Sequence, residues 1–316
     1  MKGNDLMKHF RNILYVSEPL VDQTSALARA VSLAARHEAE LTVVSTLPTV
    51  EPENLDDEIA YQRQSLQELL VPYDQNPNIR IDILVGPAFR EIILAVLRNG
   101  YDLVIKAAEN PSFLQRLFGS TDMHLLRKCP CPVWLMKVPE NPQYSRILAA
   151  VDVNPMLSDE TEKAINSEIL SLAGALALGD GAALHLVHAW EGFAEGIVRR
   201  WSDKPADEVA TYVEMERLRH QSALASIEES LRELIGEKAY GQLMPRYHLQ
   251  KGSPQREISH LAEELQADLV IMGTLGRTGI SGLFIGNTAE MILEQLPCSV
   301  LAIKPPGFIS PVKLDE

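Results

Sequence analysis

Short, nearly continuous apolar runs alternate with longer stretches of helical period along the whole chain. In the second half the runs cover residues 147–151, 183–189, 247–249, 268–272 and 300–303. Their β-branched character predicts strands buried on both faces, and the helical stretches between them predict right-handed crossovers in a parallel sheet. One such stretch carries Leu224, Ile227, Leu231, Leu234 and Ile235 at three- and four-residue spacing, the apolar stripe of a helix. Residues 138–145 contain two prolines and few apolar side chains and read as a linker.

The pattern of the first half is repeated in the second. Laying residues 80–105 over 246–271 pairs Arg80 with Arg246, Gly86 with Gly252, Arg90 with Arg256, Glu91 with Glu257, and the run Asp102 to Ile105 with Asp268 to Ile271. The nine identities in these 26 positions are several times the number expected by accident from average composition. Further on the offset grows by one, placing Gly119 on Gly286, Thr121 on Thr288, Cys131 on Cys298 and Lys137 on Lys304. Upstream it shrinks to 134 at the first strand and 143 at the second, so the second copy carries insertions after both. The expected divisions are one domain over residues 1–139, a second over 145–306 and a tail over 307–316.

Composition narrows the partners. A formal charge of −14 and an isoelectric point near 5.1 oppose a phosphate-backbone footprint, so no direct nucleic-acid binding is expected. No run approaches the roughly 18 apolar residues of a membrane helix, and the start is a poor signal peptide, so a cytoplasmic location is expected. Cys129, Cys131 and Cys298 are too few for a disulfide framework and lack zinc spacing. Cys131 and Cys298 read as small buried residues at the start of matching strands.

Specific chemistry lies after the fourth apolar run of the second copy. There Gly273 and Gly276 are followed by nine residues and then Gly286, Asn287 and Thr288. Glycines at a strand end allow positive φ and close approach of backbone N–H groups to an anion, and the next helix directs its positive end at the same place. In an open parallel sheet such a site lies outside the carboxyl ends of the strands, where Asp152 ends the first run and Val187 the second. The spacing is neither G-x-x-x-x-G-K-[ST] nor G-x-G-x-x-G, which removes support for a kinase or a dehydrogenase.

The G-x2-G-x9-G-N pattern after V-I-M, the strand R-I-L-A-A-V-D, the L-V-H-A ending of the second strand and the closing P-C-S-V-L-A-I-K together resemble the universal stress protein family. With G-T-L-G-R-T-G-I-S and L-L-R-K-C-P, the duplicated chain closely resembles the family's tandem E-type members over essentially its whole length. The resemblance implies two tandem copies of an open, five-stranded, Rossmann-like parallel sheet flanked by helices. It further implies an adenine-nucleotide-binding stress-response regulator, linked to DNA-damage resistance, whose ligand is ATP or a relative, with or without Mg. Carried over, Asp152, Val187 and Met272 would flank adenine and ribose, while Gly273, Gly276, Gly286, Asn287 and Thr288 would line the phosphates. The fifth strands, at residues 133–136 and 300–303, would pair the copies as a pseudo-dimer within one chain, leaving a homodimer open.

Asn287 stands where the family usually has Ser or Thr, and with Glu290 it also fits a helix N-cap needing no ligand. Arg277 reaches a phosphate or lies exposed on its loop. The first copy has Ala107 for Gly273, Asn110 for Gly276, Lys106 for Met272 and Glu18 for Asp152, a degraded loop expected not to bind nucleotide in the family manner, with Lys106 solvated. His185 and His188, three apart on a strand, point to opposite faces and are not a metal pair. Trp190, Phe193, Ile197 and Trp201 suggest an aromatic stripe on a short helix with Arg199 and Arg200, either packing or gating the site. The alternatives to a nucleotide-binding regulator are a slow ATPase using Asp152, a binder of a nucleotide-like ligand with an apolar tail, and an adaptor without ligands.

Overall fold

The computed structural model describes residues 9–48, 52–109, 120–156, 159–192, 194–195, 200, 205–274 and 286–314. Ten strands form one sheet: β1 (Asn12–Val16), β2 (Glu40–Leu47), β3 (Ile79–Val85), β4 (Leu103–Ala107) and β5 (Val133–Met136) from the first copy, and β6 (Arg146–Ala150), β7 (Ala183–Trp190), β8 (Arg246–Lys251), β9 (Leu269–Gly273) and β10 (Ser299–Ile303) from the second. The spatial order is β3-β2-β1-β4-β5-β10-β9-β6-β7-β8. Every pairing is parallel except β5 with β10, which run antiparallel with Leu301 opposite Trp134. The copies thus join edge to edge through their fifth strands, and the edges of the combined sheet are β3 and β8.

The central strands are buried almost throughout, as their unalternating apolar runs predict, whereas edge strands β3 and β8 are only partly covered. The crossover helices include α1 (Thr24–His37), α2 (Leu55–Leu70), α3 (Ala88–Asn99) and α4 (Thr121–Lys128) in the first copy. The second copy has α5 (Glu160–Asp180), α6 (Pro205–Ile235), α7 (Glu237–Leu243), α8 (Pro254–Glu264) and α9 (Asn287–Leu293). In α6 the predicted stripe buries Leu224, Ile227, Leu231 and Ile235, but Leu234 lies 37% exposed because it falls off the core-facing side. Among the described residues no helix is long and apolar enough to cross a membrane.

Much of the repeated sequence serves folding. Asp102 accepts hydrogen bonds from the N–H groups of Arg11 and Asn12 at 2.7 and 3.2 Å, and Asp268 does the same for Ser145 and Arg146 at 2.6 and 2.9 Å. Each fourth strand thereby pins the entry to the first strand of its copy. Gly86 and Gly252 hold φ of +136° and +151° at the turns into α3 and α8. A Cβ at either position would press on Glu91 or Glu257, which explains why glycine and glutamate recur together.

The copies are also locked by a buried polar network. Arg29 of α1 and Asp180 of α5 meet at 2.5 Å with both side chains fully buried, and Arg36 reaches the same carboxylate at 2.7 Å. The Arg29 guanidinium lies 3.9 Å from the centre of the Tyr144 ring. Tyr144 and Glu140 come from the segment read as a linker, yet both are buried between the halves. Few apolar residues were needed there because the segment is held by polar anchors. Glu140 donates its N–H to Ser25 at 2.8 Å and receives the Ser299 hydroxyl at 2.5 Å.

Candidate functional site

In each half the strand order reverses between the first and fourth strands, opening a crevice at their carboxyl ends. In the second copy a cavity of about 1510 Å³ lies between β6 and β9. Asp152, Met272, Gly273, Gly286, Asn287 and Thr288 all line it, although they come from three separate segments. Gly276 and Arg277 lie outside the described residues. Val187 is not in the wall: its side chain is fully buried in the apolar cluster that also holds Leu148, Ala150 and Ile258, and the next two residues, His188 and Ala189, face the cavity instead. The strand continues three residues beyond Val187, so its wall-forming end lies further along than the apolar run suggested.

Asp152 is placed by Asn166 of α5, whose amide oxygen accepts from the Asp152 N–H at 3.3 Å while its NH2 donates to the Asp152 carbonyl at 2.8 Å. This clamp fixes the backbone just past β6 and leaves the carboxylate on the cavity wall. Gly273 is not at positive φ, nor is Gly286. What crowds a side chain at Gly273 is space, since an added Cβ would lie 3.0 Å from Ile165 Cγ2, which would have to give way. Gly286 is the N-cap of α9, with φ −64° and ψ 139°, and Asn287 is therefore the first helical residue rather than the cap. Among the described residues no side chain caps this helix, and Asn287, Thr288 and Ala289 at its start line the cavity. Glu290 is engaged by Arg127 of α4, in the other copy.

The far wall was not legible in the sequence. His188 donates from Nδ1 toward the Val151 carbonyl at 3.3 Å, and its Nε2 lies 2.8 Å from Nδ1 of His220 on α6. Because a carbonyl only accepts, Nδ1 of His188 is the donor in this contact. His185 points the other way, to His248 at 2.9 Å, as the strand period required. Burial pulls the His185 imidazole down to about 4. Trp190 ends β7 instead of starting a helix, and its ring stacks on His220 with centroids 5.3 Å apart. It lines the cavity, whereas Phe193, Ile197, Arg199 and Trp201 fall outside the described residues and Arg200 is exposed. Residues 305–311, expected to belong mostly to a separate tail, form another stretch of wall that includes Phe308 and Ile309.

The first copy fills the corresponding place with its own charges. Lys106 is 2% exposed, so it is not solvated. Its Nζ lies 2.8 Å from Glu18, 2.9 Å from Asp122 and 3.6 Å from Glu109. Burial would depress the ammonium's pKa, but Asp122 and Glu18 outweigh it and hold the value above that of an ordinary lysine. Asp122 also accepts the Glu109 N–H at 2.9 Å. The helix start is capped as well, since Ser120 accepts the Met123 N–H at 3.2 Å. At the offsets of the repeat, Glu18, Lys106 and Asp122 stand where the second copy has Asp152, Met272 and Ala289. Two contrasts therefore act together: one copy has a lined cavity and, among the described residues, no side-chain cap on its helix, the other an internal ion cluster and a capped helix. Among the described residues no group of three or more side chains is arranged to hold a metal ion.

Fold and site together define a tandem α/β protein, two open parallel sheets fused edge to edge with a glycine-lined cavity at one topological switch point. The universal stress protein family model matches residues 9–137 and 143–304, and the chain belongs to that family. It is 32% identical to universal stress protein E of Escherichia coli (strain K12), over 98% of this chain and 99% of that protein. It is 31% identical to a universal stress protein E homolog of Haemophilus influenzae, over 94% and 98%. Among solved structures it resembles a functionally unknown protein of Pseudomonas aeruginosa PAO1, with a TM-score of 0.69, 25% identity and 95% of both chains covered. A universal stress protein of Archaeoglobus fulgidus shares the fold at a TM-score of 0.61 and 18% identity, covering 95% of this chain and 98% of its own.

Proposed function

We propose that the second-copy cavity binds an adenine nucleotide, ATP or a relative, and that the chain acts as a cytoplasmic stress-response regulator, serving DNA-damage resistance, whose state follows occupancy of that cavity. The observation that carries this reading is the paired change between copies: Asp152, Met272 and Ala289 line a cavity, whereas at the matching positions Glu18, Lys106 and Asp122 form a buried ion cluster. The uncapped start of α9 offers backbone N–H donors for phosphate, Gly273 allows close approach, and Asp152 offers a carboxylate for a ribose hydroxyl or an adenine amine. Asn287 supplies an amide donor in place of a hydroxyl. Arg277 and Gly276 complete the loop in sequence. Mg would come with the phosphates, with Asp152, Asp159 and Glu162 the carboxylates on the same wall. The first copy supports the second without a nucleotide of its own.

Titration calorimetry of the full chain with ATP, ADP and AMP is expected to show one site per chain. Gly273→Val should weaken it at least tenfold, because the Cβ already meets Ile165 and the added methyls enter the cavity. Absence of heat for all three, together with no nucleotide carried in native mass spectrometry, overturns the reading. A second ligand class is favoured by cavity size, which exceeds the roughly 300–1,000 Å³ of ordinary small-ligand pockets. Ile165, Ile169, Trp190, Phe308 and Ile309 give the surplus an apolar lining suited to a nucleotide-like ligand with an apolar tail. Trp190→Ala should then weaken the tailed ligand and leave ATP binding within twofold; equal losses for both would discard the tail. Slow ATP hydrolysis is distinguished by Asp152→Asn, which would abolish turnover while nucleotide still binds.

A further inference from the structure

Cys129 and Cys131 lie on either side of Pro130 at the junction of α4 and β5. Cys129 is the C-cap of α4 with extended backbone, φ −67° and ψ 132°, so side chains two residues apart can share a face. Their sulfurs are 3.6 Å apart. The repeat supplies an internal control: at the same offset Cys131 corresponds to Cys298, but Cys129 corresponds to Leu296. Leu296 and Cys298 are both buried, so apolar packing at this corner does not require a second sulfur. Burial pushes the solitary Cys298 thiol up to about 12, which makes it inert.

The surroundings of the first-copy pair differ. Lys304, at the end of the second copy's last strand, crosses the domain boundary and donates to the Leu126 carbonyl in the last turn of α4. It also donates to Thr274 Oγ1 at 2.7 Å. Thr274 follows Gly273, and its carbonyl accepts the Gly286 N–H at 2.8 Å. One residue beyond Leu126, Arg127 holds Glu290 of α9. The end of α4 is therefore tied both to the strand end before the glycine loop and to the helix after it.

We propose that Cys129 and Cys131 are a reversible thiol–disulfide pair, oxidised by hydroperoxides, and that closing the disulfide shifts the end of α4 and with it the glycine-loop anchors Thr274 and Glu290 of the other copy. The second part deepens the nucleotide reading and rests on it; the first does not. Burial opposes ionisation of Cys129, and the Cys131 thiol and N–H together with Lys304 overcome that opposition, while the hydrogen bond to Cys129 raises Cys131. Cys131, 8% exposed, is the sulfur a hydroperoxide reaches, whereas Cys129 is fully buried, and the Cys129 thiolate takes the Cys131 proton at the moment of attack, leaving Cys131 as thiolate. That thiolate attacks the terminal peroxide oxygen, the S–O bond forms as O–O breaks, and the departing alkoxide takes a proton to leave as an alcohol, or as water from hydrogen peroxide. Cys129, as thiolate, then attacks the Cys131 sulfur, forming S–S and expelling hydroxide, which is protonated to water. Two thiols and one hydroperoxide give one disulfide, one alcohol and one water. The sulfurs need to close from 3.6 Å to a bond of about 2.05 Å, which moves the C-cap of α4 and its carbonyl contacts.

The test uses the full chain, reduced and then treated with a small excess of hydrogen peroxide. Denatured thiol titration is expected to fall from three to one, the peptide containing residues 129–131 to lose two hydrogens, and dithiothreitol to restore both. Cys129→Ala should stop the reaction at a sulfenic acid trapped by dimedone on Cys131, and Cys131→Ala should leave Cys129 unmodified on the same timescale; either variant suffices if the other does not fold. Hydrogen exchange then reads the coupling without any nucleotide: the Gly286 amide should exchange at least fivefold faster in the oxidised protein. Three titratable thiols after treatment, or disulfides only between chains, overturn the switch. An intramolecular disulfide with unchanged Gly286 exchange overturns the coupling, and neither result bears on whether ATP binds.

Discussion

Lys106→Met, which installs the residue found at the same place in the second copy, is expected to cost the chain about 3–5 kcal/mol of stability. The substitution is volume-conserving, so packing alone predicts a small loss. Electrostatics predicts a large one. Lys106 is the counter-charge of Asp122, 1% exposed, and of Glu18, and removing it leaves these carboxylates facing one another and Glu109 in a buried space. Burial and Asp122 already hold the Glu109 carboxyl above its usual range with the lysine present. Protonation can relieve part of the repulsion, so the deficit should be larger at pH 8 than at pH 5. Urea unfolding of both proteins at the two pH values measures it. Adding Glu18→Asp and Asp122→Ala, which completes the second copy's set, should recover most of the loss. A single variant within 1 kcal/mol of the parent would mean that the cluster is hydrated and does not fill the first site.

The same cluster shows where the sequence was readable and where it was not. The sheet and its duplication were legible because buried parallel strands impose long apolar runs and because the repeated Asp102 and Asp268 pin equivalent strand entries. Of the glycines the sequence marks after the strand end, Gly273 and Gly286 line the cavity, while Gly276 lies outside the described residues. Lys106 reads as solvated in the sequence because two of its partners, Asp122 and Glu18, lie 16 and 88 residues away on other segments, and a lysine at a strand end is usually solvated. The offset itself held the missing signal: a Met-to-Lys change accompanied by Asp-to-Glu and Ala-to-Asp at facing positions balances charge. Asn287 slipped by one position because Gly286, with its extended dihedrals, caps α9 as well as any side-chain-free residue can. His220 had no local signature at all, since it sits within the long inserted helix and acquires its role only when α6 packs across the end of β7. Residues 305–311 carry four prolines and glycines and look like a tail, yet they return over the cavity.

Glu140→Gln is expected to remove a pH dependence of about 3 kcal/mol from the stability of the chain between pH 5 and pH 8. Glu140 is buried between the two copies, and burial raises its carboxyl to about 7 against the Ser299 and Asn141 hydrogen bonds that favour the anion. A carboxyl whose pKa is raised on folding stabilises the fold fully below its unfolded value, near 4.5, and loses that contribution as pH rises through about 7. The native state binds the extra proton in this window, so stability falls with rising pH on account of this group. Two other sets of groups act oppositely: His37 and His185, both lowered to about 4 by burial, lose stability as pH falls below the usual histidine value, and Lys304, lowered to about 7 chiefly by burial, gains it as pH rises above 7. The parent's profile alone therefore does not isolate Glu140, but the difference between parent and variant does. Glutamine keeps an acceptor for Ser299 and cannot ionise, although its NH2 opposes the Asn141 N–H that Glu140 Oε1 accepts at 3.0 Å, a roughly constant cost at all pH values. Denaturant unfolding at half-unit pH intervals should show the variant gaining on the parent steadily from pH 5 to pH 8. A constant difference across that range would place the ionised carboxylate in solvent and the interface around Ser299 open to water.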